Sequence, residues 1–83
     1  MSLNTSVEET VRKTVTRIVR KPEMEFKPGA TFEDLQADSL DVVQILVALE
    51  DTYDIEIQDE ELKEVTDMGG FIAYIKRKVA EKG

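Results

Sequence analysis

Between Leu40 and Leu49 only Asp41 and Gln44 interrupt a run of Leu, Val, Ile and Ala. With its flanks, from Asp38 to Tyr53, this is the strongest helix in the chain, and it is apolar nearly all round. A helix of that kind is buried on most sides or lines a cavity. The remaining elements must be its partners, and 83 residues (9.4 kDa) leave room for one small domain only.

Val7, Val11, Val15, Ile18 and Val19 recur at helical spacing and form one stripe over about residues 7–20. Ser6 followed by Glu9 predicts a capping box at its start. Arg17, Arg20 and Lys21 suit the dipole at its end, and Pro22 stops it. Residues 22–38 carry Pro22, Pro28 and Gly29 and show no period, so they form a long loop, with Met24, Phe26, Phe32 and Leu35 to pin it to the core. A short strand around Met24–Phe26 is one option within it, without an evident partner. Asp54 to Gln58 reads as a loop, and residues 59–64 as a short acidic helix with Leu62 and Val65 turned inward. Thr66 is the expected N-cap of a last helix over about 67–81, where Met68, Phe71, Ile72, Ile75 and Val79 make the stripe. Gly69 and Gly70 weaken its first turn by about 1 kcal/mol each. The expected fold is all-α: a small antiparallel bundle of three main helices plus one short helix, with a long loop between the first and second. Residues 1–83 form its single domain.

Composition removes many functions. There is no His and no Cys, so neither a Ser-His-Asp triad nor a thiol nucleophile nor a Cys/His zinc site can be built. Eighteen acids against eleven bases give a net charge of −7, which argues against nucleic acid as a partner. No apolar run approaches the roughly 18–20 residues needed to span a bilayer. The start, MSLNTSVEE, lacks the basic and apolar regions of a secretory signal, so a cytoplasmic monomer is expected.

The charge is also unevenly placed. Residues 34–67 hold twelve acids and one base, Lys63, for a net −11, whereas the two ends together are +4. Within that acidic stretch, Asp38-Ser39-Leu40-Asp41 opens the apolar helix. One reading is a helix start, with Asp38 as N-cap and Asp41 favouring the dipole. A second uses the same geometry, because unpaired N–H groups and positive potential at a helix N-terminus welcome a phosphate esterified to the serine hydroxyl.

The surrounding residues carry a family likeness. Ala37-Asp38-Ser39-Leu40-Asp41, then Val43, Leu46, Ala48-Leu49-Glu50-Asp51, Tyr53, Asp54, Ile57 and Asp59-Glu60-Glu61 resemble the acyl carrier proteins. The likeness runs on through Thr66 and Gly69 to Tyr74-Ile75 and covers roughly residues 6–80. It implies that Ser39 is the attachment serine, loaded with 4′-phosphopantetheine from coenzyme A by a phosphopantetheinyl transferase. The thiol of that arm would hold acyl groups as thioesters, and the protein would present them to enzymes of fatty-acid or related acyl-chain synthesis without catalysing anything. The resemblance also implies an acidic docking surface for basic patches on those enzymes: Asp38, Leu40, Asp41, Glu50, Asp51 and Asp54, extended by Asp59, Glu60 and Glu61. It implies an apolar slot for the acyl chain, with Val43, Leu46, Val47, Leu49, Leu62, Phe71, Ile72 and Ile75 as its lining.

Several positions depart from the family pattern. Gln36 stands where Gly is usual, Gln44 where Glu is common, Val47 where Met is common, and Gln58 where Pro is common. Arg12, Lys13, Arg17, Arg20 and Lys21 make the first helix unusually basic. These departures leave open a housekeeping fatty-acid carrier or a specialised one, and a chain opening on its own Met1 is expected to serve dissociated enzymes.

Two other classes compete. A helix–loop–helix calcium loop beginning at Asp51 needs oxygen ligands at its third and fifth positions and Gly at its sixth. Those positions hold Tyr53, Ile55 and Glu56, so the pattern fails and no metal site is expected. An unmodified acidic helical domain binding a basic partner protein explains the charge, but not a serine heading the most apolar helix.

Overall fold

The computed structural model describes residues 3–82, with side chains for residues 7–58 and 60–82. The chain forms α1 (Leu3–Val19), a 3-10 turn (Glu23–Glu25), α2 (Ser39–Tyr53), α3 (Asp59–Leu62) and α4 (Met68–Lys82). The fold is all-helical, with no strand among the described residues. Where a strand around Met24–Phe26 was an option, Glu25 N–H bonds Pro22 O at 2.9 Å and Phe26 N–H bonds Glu23 O at 3.0 Å. Those local bonds consume the donors a strand would offer a neighbour. Met24 does not pin the loop, being 80% exposed. Leu35 is buried, and Phe26 and Phe32 pack partly buried against the core.

α1 buries Val7, Val11 and Val15 and packs against both α2 and α4. It extends upstream to Leu3, so Ser6 lies inside the helix and is not its cap. No Pro or Gly in Leu3–Thr5 stops the helix from running through the expected start. At the other end Arg20 takes a left-handed conformation (φ 61°), and Lys21 N–H reaches back to Thr16 O at 3.0 Å. That closure satisfies a terminal carbonyl before Pro22.

The helix ends show their directions. Lys21 Nζ donates to Gln36 Oε1 at 2.9 Å, which brings the end of α1 to the start of α2. Lys82 pairs with Asp54, so α2 and α4 finish at the same pole. α1 is thus antiparallel to both, while α2 and α4 share a direction. That is forced on any three long helices, since they cannot all be mutually antiparallel.

The long loop is a built element. Thr31 and Asp34 cap each other reciprocally, with Asp34 N–H to Thr31 Oγ1 at 2.9 Å and Thr31 N–H to Asp34 Oδ2 at 3.1 Å. The turn then closes through Gln36 at φ 59°, with Ala37 N–H on Phe32 O at 2.9 Å. A side chain in the left-handed region costs about 1–2 kcal/mol, of which glycine's extra chain entropy cancels a part. Gln36→Gly is therefore expected to stabilise the fold by about 0.5–1 kcal/mol, seen as a higher urea midpoint at unchanged m-value. An unchanged midpoint would mean that the Lys21–Gln36 bond is worth as much as the strain.

α3 stops at Leu62, two residues short of the expected end, and α4 is capped by Asp67, not Thr66. Asp67 Oδ1 accepts the Gly70 N–H at 2.8 Å. The two donors before it are taken by the long loop: Met68 N–H bonds Ala30 O at 2.7 Å, and Gly69 N–H bonds Pro28 O at 2.9 Å. These two bonds place the start of α4 at Met68. A Cβ on Gly69 would lie 3.2 Å from Pro28 O, so glycine there permits the close approach of loop and helix.

Phe71, Ile45, Leu49, Met68, Ile75, Val11 and Val15 are the largest fully buried side chains. Only Ile45 and Leu49 of α2 are buried, so the expectation of burial on most sides does not hold. Leu40, Val43 and Val47 are 64%, 53% and 52% exposed. α2 packs chiefly against α1, and its opposite side is left bare. No helix among the described residues is long and apolar enough to cross a membrane.

Candidate functional site

The start of α2 is fixed by its cap. Asp38 has an extended backbone (φ −86°, ψ −178°), and its Oδ1 accepts the Asp41 N–H at 2.8 Å. Asp41 Oδ2 answers by accepting the Asp38 N–H at 3.4 Å. This is a capping box in which both acids of the Asp-Ser-Leu-Asp motif are engaged. Ser39 is the first helical residue and is exposed. Among the described residues nothing hydrogen-bonds its hydroxyl, and the N–H groups of Ser39 and Leu40 have no backbone partner. A primary alcohol stands in solvent at the positive end of a 15-residue helix. Such a hydroxyl accommodates a phosphodiester without rearrangement of the fold.

Beside it runs the bare face of α2. Leu40, Val43 and Val47 follow one another at spacings of three and four, which places them on one stripe. Val43 and Val47 stand on this outward face and not among the buried residues. Of the other side chains expected to line a slot, Leu49, Phe71 and Ile75 are fully buried and Ile72 nearly so, while Leu46 and Leu62 are partly buried. Clefts of about 430 and 420 Å³ lie instead along the long loop and at the end of α1.

The acids expected on the docking surface divide into two groups. Glu50 Oε2 accepts the Ile57 N–H at 2.9 Å, so it fastens the loop that follows α2. Asp54, in a left-handed C-cap conformation (φ 54°), pairs with Lys82, whose ammonium holds its carboxyl below its ordinary pKa. Glu61 Oε1 takes Lys78 Nζ at 2.9 Å and the Tyr74 hydroxyl at 2.9 Å, and Arg77 stands 3.5 Å from Oε2. A partner's cation reaches Glu61 only by displacing these. Asp38 and Asp41 make the cap, while Asp51 and Glu60 are exposed with no ion pair among the described residues. The side chain of Asp59 lies outside the described residues.

The Glu61 cluster was not legible beforehand. Tyr74 fits the apolar register of α4, which marks it for burial, but its hydroxyl partners lie thirteen and sixteen residues upstream. Lys78 and then Tyr74, by hydrogen bonds, hold the Glu61 carboxyl below its ordinary pKa, and burial pushes the Tyr74 phenol up. Glu61's contribution to stability is therefore present at neutral pH and lost only as pH falls through that lowered pKa.

The phosphopantetheine attachment site family matches residues 9–75, a span that holds all of α2 and α3 and most of the core. Among solved structures, the holo acyl carrier protein from Geobacter metallireducens superposes with a TM-score of 0.79 at 21% identity, over 92% of this chain and 88% of that one. The fold is that of an acyl carrier protein. The chain belongs to the phosphopantetheine attachment site family: it is a carrier of covalently attached 4′-phosphopantetheine and not an enzyme.

Proposed function

We propose that Ser39 is the attachment residue and that the arm it carries holds acyl intermediates as thioesters for enzymes of fatty-acid or related acyl-chain synthesis. The observation that carries this reading is the placement of Ser39 as an exposed, unengaged hydroxyl at the first position of α2. The other serines, Ser2 and Ser6, lie at the start of the chain, outside the Asp-Ser-Leu-Asp motif. The chain has no Cys, so the working thiol must come with the arm.

Partners are a phosphopantetheinyl transferase, acting from coenzyme A, and acyl-processing enzymes with basic, partly apolar docking patches. The stripe Leu40, Val43 and Val47 supplies the apolar part of that contact. Asp38, Asp41, Asp51 and Glu60 supply its field, while Asp59 extends it and Glu50, Asp54 and Glu61 contribute through groups already bonded internally. The acyl chain shelters against Leu46, Leu49, Leu62, Phe71, Ile72 and Ile75. The protein works as a cytoplasmic monomer in this reading, because coenzyme A and the transferase meet it there.

Co-expression with a transferase, followed by intact mass measurement, tests the reading. The mass is expected to rise by one phosphopantetheine, and Ser39→Ala to abolish the rise with the far-UV spectrum unchanged. If an active transferase adds nothing to the native chain, an unmodified domain that binds a basic partner through its acidic face becomes the better account.

A further inference from the structure

Residues 9–23 carry five cations, Arg12, Lys13, Arg17, Arg20 and Lys21, against two acids, Glu9 and Glu23. This local +3 stands in a chain of net charge −7, and docking through α2 does not use it. After α1 the chain doubles back over that helix. Lys21 N–H bonds Thr16 O at 3.0 Å, and Arg12 Nε bonds Glu23 Oε1 at 3.1 Å across eleven residues. Thr16 lies off the stripe of Val7, Val11 and Val15, yet is only 4% exposed, because the returning segment covers it. The fold-back leaves a cleft of about 420 Å³ lined by Lys13, Thr16, Arg17, Lys21, Pro22 and Glu23. Its three cations follow one another at intervals of four residues.

The fold does not use up these charges. Glu23 is taken by Arg12, and Lys13 by Glu9 at 2.9 Å. Arg17 is exposed and has no ion pair among the described residues. Lys21 is half-buried and spends one N–H on the neutral Gln36 Oε1 at 2.9 Å, so its charge is uncompensated. We propose that the cleft binds the phosphate groups of a small ligand, with Arg17 and Lys21 as the main contacts and Lys13 beside them. Arg17 supplies a planar fork that fits two phosphate oxygens, and Lys21 a point charge with two N–H donors to spare. The recess favours a compact anionic group over a flat acidic protein surface. The net charge of −7 opposes an anionic membrane or a nucleic acid. The place of the cleft narrows the source of the phosphates. The Lys21–Gln36 bond sets it at the pole of Ser39, which lies three residues after Gln36. On the acyl-carrier reading, the molecule delivered to that pole is coenzyme A, which ends in an adenosine 3′,5′-bisphosphate. The source of the phosphates rests on that reading, and the site itself does not.

Titration of the unmodified full chain with adenosine 3′,5′-bisphosphate, followed by amide chemical shifts at low ionic strength, tests the site without a transferase. The amides of Lys13, Arg17 and Lys21 are expected to move saturably, and those around Lys63 to stay. Arg17→Gln removes a charge that the fold does not use. Its urea midpoint is expected to hold while binding weakens about tenfold, as loss of a charge-assisted bond implies. Lys63→Gln changes the net charge equally and is expected to leave binding unchanged. Shifts spread over the whole surface, or equal losses in the two variants, would overturn the site. Inorganic pyrophosphate and a triglutamate peptide then identify what is bound. Pyrophosphate that binds as well as the nucleotide keeps a phosphate site and overturns coenzyme A as its source. Triglutamate that binds more tightly than either overturns the phosphate site in favour of an acidic protein partner. Ser39 takes no part in these titrations, so a chain that failed to load with phosphopantetheine would give the same result.

Discussion

Phe71→Ala is expected to lower the melting temperature by on the order of 20 °C and to leave little folded protein in mild urea. The ring is fully buried and meets Phe32 edge to face, with centroids 5.3 Å apart and planes at 68°. Truncating a buried Phe costs about 3–5 kcal/mol, through lost transfer energy and the cavity left behind. A fold of this length has on the order of 4–12 kcal/mol in all, so one side chain accounts for a large share of it. Phe32→Ala should cost less, because Phe32 is only partly buried, and the double variant should reveal a coupling of about 0.5–1.5 kcal/mol for the ring pair. A fall of only a few degrees for Phe71→Ala would contradict the place of this ring at the centre of the bundle.

Gly69→Val is the second large effect, about 1–3 kcal/mol of destabilisation. Its N–H bonds Pro28 O at 2.9 Å, and a Cβ would sit 3.2 Å from that oxygen and 3.5 Å from the Pro28 Cβ. Alanine adds one tight contact and gains helix propensity, so Gly69→Ala should come near to neutral. Valine adds two methyl groups, one of which must drive the loop off the helix. The change should appear as faster exchange of the Met68 and Gly69 amides together with a lower urea midpoint. Wild-type stability in Gly69→Val would mean that the loop does not bear on α4 as described.

The elements that could be read in advance were those fixed by local rules. α2 runs from Ser39 to Tyr53 as expected, because its apolar run begins directly behind a strong N-cap residue and the chain turns left-handed at Asp54. The Asp38–Ser39 motif was therefore placed correctly by spacing alone. Where tertiary contacts decide, local rules misled. Thr66 and Asp67 are both good caps, and nothing in their spacing shows that Met68 and Gly69 must meet the carbonyls of Ala30 and Pro28. An apolar run cannot reveal which side of its helix lacks a neighbour, so Val43 and Val47 read as interior and stand outside. The family likeness put Glu50, Asp54 and Glu61 on one acidic face. Their partners Ile57, Lys82 and Lys78 lie between seven and twenty-eight residues away, beyond the reach of helical spacing.

The clasp between the long loop and α4 has a bearing on how such a protein can change over generations. It is made by the carbonyls of Pro28 and Ala30 and the amides of Met68 and Gly69. Main-chain groups are supplied by every residue, so the acceptors survive substitution at either loop position, provided the backbone path is kept. The exposed side chains around them, Glu25, Lys27 and Glu33, can then vary with a new client enzyme while the approach to Ser39 stays anchored. On the α4 side the latitude is smaller, since Gly69 accepts nothing larger than alanine beside Pro28 and Met68 is fully buried, which concentrates the constraint on two positions far in sequence from the loop they secure.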